Sequence, residues 1–259
     1  MKLDIYHVDT FTSKIFGGNG ACVCPLKEWI DDNLMQKIAL ENNQSATAFF
    51  VKNENRYDIK WFTPKKEVML CGHATLASAY IIFNYLDKTL DSIIFDSKSG
   101  ILSVNKDDKL ISLNLPASMP ELSENNPLFT VALGIAPLKI LQQDDYILIY
   151  ENEEIIKNIE PDFEALKNLD LRGVCISAKG DDSDFVYRFF APKYGINEDN
   201  VTGSICSQLV PFWAQVYQKN HLKAKQLSKR GGEILCKLEN ERVEIKGEAI
   251  LYMKGQIII

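Results

Sequence analysis

The sequence predicts an α+β protein made of two similar domains related by internal duplication, and three observations carry that prediction. The 259 residues are 46% apolar and 25% charged, the balance of a globular chain with a substantial core, and the length suits one large domain or two of ordinary size. Most of the chain breaks into short runs rich in β-branched and aromatic residues, separated by turn residues, with few helical stretches between them. Finally, Lys60-Trp61-Phe62-Thr63-Pro64-Lys65 is echoed 128 residues later by Arg188-Phe189-Phe190-Ala191-Pro192-Lys193. Each copy closes a strand, meets a proline, crosses a polar loop to a glycine turn and enters a largely apolar helix. Such a repeat marks a duplicated unit. The expected division is 1–116 and 117–259, with the last strand, near 251–259, crossing back to the first domain.

Taken in order, the expected strands of the first half are 3–11, 21–25, 46–51, 57–62, 92–95, 101–104 and 110–115. Those of the second half are 146–150, 173–178, 185–190, 233–238, 243–246 and 248–253. Residues 31–41 have helical spacing, with Leu34 and Ile38 on one face. The stretch 73–86 is small and apolar, so a helix there must be buried on most sides. Two further helices are expected at 160–168 and 204–218.

Charge and cysteine usage narrow the function classes. Twenty-nine basic against 35 acidic residues give a net charge of -6, and no Lys/Arg run exceeds two. A nucleic-acid groove or an anionic membrane surface would call for a basic patch. The longest apolar stretch, 74–85, is interrupted by Asn84 and too short to span a bilayer. The opening MKLDIYHVDTF alternates like a strand and lacks a signal-peptide apolar core, so a cytoplasmic location is expected. The six cysteines include no Cys-x-x-Cys pair, and there are only three histidines. Free thiols and no metal site are therefore expected. Cys22 and Cys24, two apart on a strand, should face one side.

The two glycine turns form the candidate site. Cys71-Gly72-His73 and Thr202-Gly203-Ser204 each place glycine beside a polar residue at a helix start. The first helical N–H groups have no intrahelical partner, and the helix dipole is positive there. Both features favour a carboxylate or phosphate, and glycine lets the ligand approach the backbone. His73 and Ser204 would stand at the mouth of the site.

Four segments together resemble the PhzF, or phenazine biosynthesis-like, isomerases. They are Phe16-Gly17-Gly18-Asn19, Cys71-Gly72-His73-Ala74-Thr75-Leu76, Phe190-Ala191-Pro192, and Glu198-Asp199-Asn200-Val201-Thr202-Gly203-Ser204. The later Ser228-Lys229-Arg230-Gly231-Gly232 is similar to the family's C-terminal portion, and the segments run in family order along the whole chain. The resemblance implies a diaminopimelate-epimerase-like fold, each domain a β-barrel-like sheet round a central helix with the site between the domains. It also implies a homodimer, no organic cofactor or metal, and a small anionic metabolite as the partner. The reaction it implies is a proton shift on a carboxylate-bearing substrate. His73 and Asp199 take the assisting roles, and Asn19, Ser45, Gly72, Gly203 and Ser204 the binding roles. The family's Gly-Asn-Pro reads Gly18-Asn19-Gly20 here, a change expected to loosen that loop.

One departure concerns the chemistry itself. The family pattern Asn-x-Ser-Glu-Thr-Ala-Phe carries the general acid/base on its Glu, and this chain reads Asn43-Gln44-Ser45-Ala46-Thr47-Ala48-Phe49. A methyl group cannot carry a proton. Ala46 fits a divergent member and an engineered Glu→Ala variant alike, so activity on this chain is expected to be lost or altered. If the stretch is extended, Ser45 and Thr47 point away from the face of Ala46. Two other readings stay open: a non-catalytic anion-binding protein on the same fold, and an epimerase using Cys71 as its base.

Overall fold

The computed structural model describes residues 1–259 and divides into two compact units, Met1–Asn114 with Lys246–Ile259, and Leu115–Ile245. The returning segment thus starts at Lys246, several residues before the expected 251. No helix is long and apolar enough to cross a membrane.

The first unit holds β1 (Lys2–Thr10), β2 (Asn19–Leu26), α1 (Asp32–Asn42), β3 (Thr47–Asn53), β4 (Arg56–Phe62), β5 (Glu67–Val68), α2 (Gly72–Ile81), β6 (Ser92–Ser97), β7 (Gly100–Asp107) and β8 (Leu110–Pro116). The second holds β9 (Glu121–Leu122), α3 (Pro127–Leu133), β10 (Lys139–Gln142), β11 (Tyr146–Ile149), α4 (Glu153–Asn158), α5 (Phe163–Leu166), β12 (Val174–Lys179), β13 (Phe185–Phe190), α6 (Cys206–Tyr217), β14 (His221–Gln226) and β15 (Gly232–Glu239). The expected strands 243–246 and 248–253 are one strand, β16 (Arg242–Ile258).

In the first unit β1-β2-β3-β4-β6-β7-β8-β16 form a ladder, and β16 pairs back with β1. That is a closed barrel of eight strands, which leaves no free sheet edge. The helix α2 packs against β1, β2 and β3. Its residues Ala74, Leu76, Ala77, Ala79 and Ile81 are buried, as a helix of small apolar residues requires. The polar members bond their own backbone: Thr75 Oγ1 donates to Cys71 O at 2.7 Å and Ser78 Oγ to Ala74 O at 2.8 Å. Neither of these helix hydroxyls is left without a partner. Beyond Ile81 the helix widens into a π turn, Ile82–Leu86.

The opposite face of the same strands packs α1. Leu3, Ile5, Cys22, Cys24, Phe49 and Phe62 form one buried cluster with Met35, Ile38 and Ala39. Alternation along the strands therefore puts Ala21, Val23 and Ala48 toward α2. Asp31 caps α1 by accepting from Asn33 N and Leu34 N, and Asn43 ends it in a left-handed conformation.

The second unit runs β16-β15-β14-β13-β12-β11-β10-β9. One core cluster joins Phe129, Leu148, Ile156, Leu166, Ile176 and Phe190, drawn from α3, α4, α5 and the central strands. The helix α6 packs on β14 and β15, and its Trp213 stacks on Phe185 and donates Nε1–H to Ser177 Oγ at 3.0 Å. The expected helix 160–168 is only the short α5, because Asp162 caps it and beyond Lys167 the bonds tighten to Asn168 N–Ala165 O and Leu169 N–Leu166 O. The helix expected to start at Ser204 begins instead as a 3-10 turn, Gly203–Ile205, and becomes α-helical at Cys206.

Candidate functional site

In the first unit the site residues converge at the start of α2. Cys71 is extended (φ -146°) and turns into the helix at Gly72. A Cβ on Gly72 would meet nothing nearer than Leu113 Cδ2 at 3.6 Å. Packing within the unit therefore does not demand glycine here, and the bare backbone is open to a ligand. His73 is half-buried, and its Nε2 lies 2.9 Å from Ser45 Oγ. That hydroxyl lies 2.6 Å from Gly20 O and 3.1 Å from Asn19 Oδ1. A hydroxyl has one hydrogen. With that hydrogen on Gly20 O, the closest acceptor, Ser45 accepts Nε2–H from His73, and the lone pair of Nδ1 is left facing Cys71 Sγ at 3.5 Å. Ser45 thus fixes the orientation of the imidazole.

This corrects two expectations. Ser45 does not point away: it sits in a bend before β3 and reaches His73. Thr47, within β3, is buried on the other face. Nor is the segment at Gly20 loosened by the absent proline. Gly20 lies in β2 paired with Asp9, and a Cβ on it would come within 2.7 Å of His7 Nε2. The glycine before Asn19 also has a steric cause. Gly18 has φ +61°, and a Cβ there would overlap Thr10 O at 2.0 Å. Asp9, only 2% exposed, accepts from Phe16 N at 3.0 Å and pins the loop.

Ala46 has no exposure. Its carbonyl accepts from Cys22 N at 3.0 Å, which continues the parallel β2–β3 ladder by one residue. Its methyl therefore shares the face of Ala48, toward α2. Cys71 is the only one of the six free thiols that is not buried. Burial pushes the Cys22 thiol up to about 12, and holds those of Cys24 and Cys175 well above their usual value. Iodoacetamide on the folded protein should therefore alkylate Cys71 first, by peptide mass; first labelling elsewhere would mean that its surroundings shield it.

In the second unit Asp199, Gly203 and Ser204 lie on one braced turn. Thr202 Oγ1 donates to Asp199 Oδ2 at 2.6 Å. Gln226, buried on β14, donates to Asp199 O at 2.5 Å and accepts from Thr202 N at 2.6 Å. Ser228 Oγ donates to Asn200 O at 2.6 Å, which is the work of the Ser228–Gly232 segment. Glu198 is tied to Arg188 of β13, with Nε to Oε1 at 2.8 Å and Nη2 to Oε2 at 3.1 Å. Sequence reasoning missed Gln226, Arg188 and a further group, Asp145, Arg172 and Gln208, around Ser204. The inward alternation of Leu222, Ala224 and Gln226 was the available signal for the first.

An eight-stranded barrel closed beside a buried helix, a second α+β unit, and a polar glycine turn at one helix start in each define the class of diaminopimelate-epimerase-like proteins. The chain belongs to the PhzF family: the model for the phenazine biosynthesis-like proteins (PhzC-PhzF) matches residues 8–255. An uncharacterised isomerase of Pseudomonas aeruginosa is 46% identical over 99% of both chains. The crystal structure of a PhzF-family phenazine biosynthesis protein from Enterococcus faecalis is 42% identical, covers 100% of both chains and superposes with a TM-score of 0.98. A hydroxyproline epimerase from Agrobacterium vitis, 9% identical with a TM-score of 0.62 over 99% of this chain and 92% of its own, shares the fold.

Proposed function

We propose that the protein is a PhzF-type isomerase that binds a small carboxylate-bearing metabolite and shifts a proton on its carbon skeleton, with that step weakened by Ala46. The observation that carries this reading is the His73 imidazole, locked by Ser45 beside the open backbone of Gly72. In this reading a base takes a proton from carbon next to the carboxylate, the electron pair delocalises toward it, and the proton returns at another carbon. In the first unit the Gly72 amide offers a donor to an anionic group with His73 beside it, and in the second the Gly203–Ser204 turn does the same beside Asp199. The protein's relatives carry the name isomerase, which supports the reaction class.

The test is deuterium incorporation at carbon when the protein is incubated in D2O with a panel of small amino- and unsaturated carboxylates. Slow exchange is expected. Exchange by neither this protein nor its Ala46→Glu variant would leave the non-catalytic anion-binding reading in its place.

A second reading has a specific observation in its favour: Cys71 Sγ lies 3.5 Å from His73 Nδ1, as in a thiol–imidazole pair. Against it, Thr202 occupies the matching place on the other turn, so a second thiol is missing. Cys71→Ala is therefore expected to leave melting temperature, carboxylate binding and exchange nearly unchanged. A large loss of exchange at constant melting temperature would promote the cysteine epimerase.

A further inference from the structure

Around Ser204 the second unit builds a polar assembly that no sequence motif marks. β11 and β12 run parallel, with Tyr146 opposite Val174. Asp145 and Arg172 precede these strands at the same end and so become neighbours. The Asp145 side chain has no exposure, while that of Arg172 is 42% exposed. Arg172 Nε donates to Asp145 Oδ1 at 2.8 Å and Nη2 donates to Oδ2 at 2.5 Å. Gln208, 1% exposed on α6, adds a third donor to the carboxylate, at Oδ2 and 2.9 Å, and accepts from Asp145 N at 3.4 Å. The Phe189 ring lies 5.4 Å from the guanidinium carbon. The guanidinium is held in one plane, and from there Nη1 donates to Ser204 Oγ at 3.2 Å.

Hydrogen-bond arithmetic gives this arrangement a direction. A guanidinium has five N–H donors and no acceptor. Three are engaged as described, leaving one on Nη1 and one on Nη2, on the exposed side of the group. Because arginine can only donate, Ser204 Oγ accepts from it, and the serine keeps its own hydrogen for an acceptor outside the chain. Two guanidinium hydrogens and one hydroxyl hydrogen thus stand together at the Gly203–Ser204 turn.

We propose that Arg172, oriented by Asp145 and Gln208, is a specificity-determining residue that fixes Ser204 as a donor and joins it in binding one carboxylate of the ligand. The proposal rests on the reading of this turn as a ligand site. The planar fork of arginine matches a carboxylate, where lysine would supply only a point charge. The electrostatics narrow the ligand further. Asp145 neutralises the guanidinium, and Asp144 and Asp199 add negative charge within its electrostatic reach. The subsite therefore offers oriented donors without net positive charge. The surrounding carboxylates repel a phosphate dianion about twice as strongly as a monoanionic carboxylate, so the subsite favours the carboxylate.

The experiment titrates the full-length protein with acetate, and separately with inorganic phosphate at equal ionic strength, following the Arg172 Nε–H resonance by NMR and affinity by calorimetry. Acetate should shift the resonance saturably and phosphate should not. Ser204→Ala should weaken acetate roughly tenfold, the loss expected for one hydrogen bond to a charged group, and Arg172→Lys should weaken it at least as much. Should Arg172→Lys fail to fold because Asp145 loses its partner, Ser204→Ala decides alone, since it leaves the Asp145–Arg172–Gln208 contacts intact. Unchanged acetate affinity in Ser204→Ala, phosphate binding as tight as acetate, or no acetate response overturns the proposal. Deuterium exchange that persists in such a case leaves the isomerase reading standing. Acetate binding that depends on Ser204, with no exchange by any variant, supports the proposal and removes the isomerase reading.

Discussion

Arg188→Ala is expected to destabilise the second unit by about 3–5 kcal/mol, the cost typical of breaking a buried ion pair from one side. Arg188 is 9% exposed and uses all three of its nitrogens. Nε and Nη2 hold the Glu198 carboxylate, and Nη1 donates to Ile156 O at 3.1 Å and Ile159 O at 2.7 Å, at the end of α4. Its guanidinium carbon lies 5.1 Å from the Phe190 ring centre. Alanine would leave a part-buried carboxylate and two carbonyls without these donors. It would also free the segment leading into Asp199, so carboxylate binding should weaken together with stability. At roughly 2–4 °C per kcal/mol for a chain of this size, Tm should fall by about 10 °C. Arg188→Lys should recover only part, because one ammonium cannot reach the carboxylate edge and both carbonyls together. Calorimetry on the three proteins checks this; a loss below about 1 kcal/mol for Arg188→Ala would show that water replaces the missing donors.

The duplication was legible because its signals are local. A strand ending in proline, a polar loop and a glycine before an apolar helix can each be read within a short window, and Phe62-Thr63-Pro64 and Phe190-Ala191-Pro192 sit where that pattern put them. Short elements were lost for the same reason. α4 has six residues and is set by its Asn152 cap more than by apolar spacing. β14 reads HLKAKQ, whose lysines hide an alternation in which only Leu222, Ala224 and Gln226 are buried. The candidate site was legible where its residues share one helix start, as with Gly72-His73 and Gly203-Ser204. It was not legible where function needs partners brought from afar. Asp145, Arg172, Ser204 and Gln208 are neighbours only through the parallel pairing of β11 with β12 and the packing of α6, and no spacing in the sequence announces that. The direction of Ser45 failed for a simpler reason: alternation holds inside a strand, and Ser45 lies in the bend before one.

Ala46→Glu is expected to fold and to raise proton exchange by at least about 10²-fold, the lower end of what a positioned general acid/base contributes. The position lies one residue before β3, on the face of Ala48 and toward α2, and its neighbour Ser45 holds His73. A new carboxyl there would stand close to the imidazole. The cost is steric and electrostatic. Ala46 has no exposure, and overpacking a filled core typically costs about 1–3 kcal/mol. The surroundings reduce that cost, because the α2-facing neighbours are small: Ala21 and Ala48 on the strands, and Gly72 at the helix start with nothing nearer its absent Cβ than 3.6 Å. An unpaired buried carboxylate would be costly, so the new group should either pair with a charged His73 or hold its proton to higher pH than a solvated Glu. Either state suits proton transfer near neutrality. The sign of the pH dependence separates the two states. A carboxyl raised by desolvation acts as a base only above its pKa, so exchange should climb with pH through that value; one paired with charged His73 should lose exchange as the imidazole deprotonates. Deuterium incorporation by the two proteins at equal concentration, with Tm measured alongside, is the comparison. If the variant keeps its Tm, binds acetate and exchanges no faster, substrate positioning has diverged along with the acid/base position, and anion binding alone is the function left to this fold.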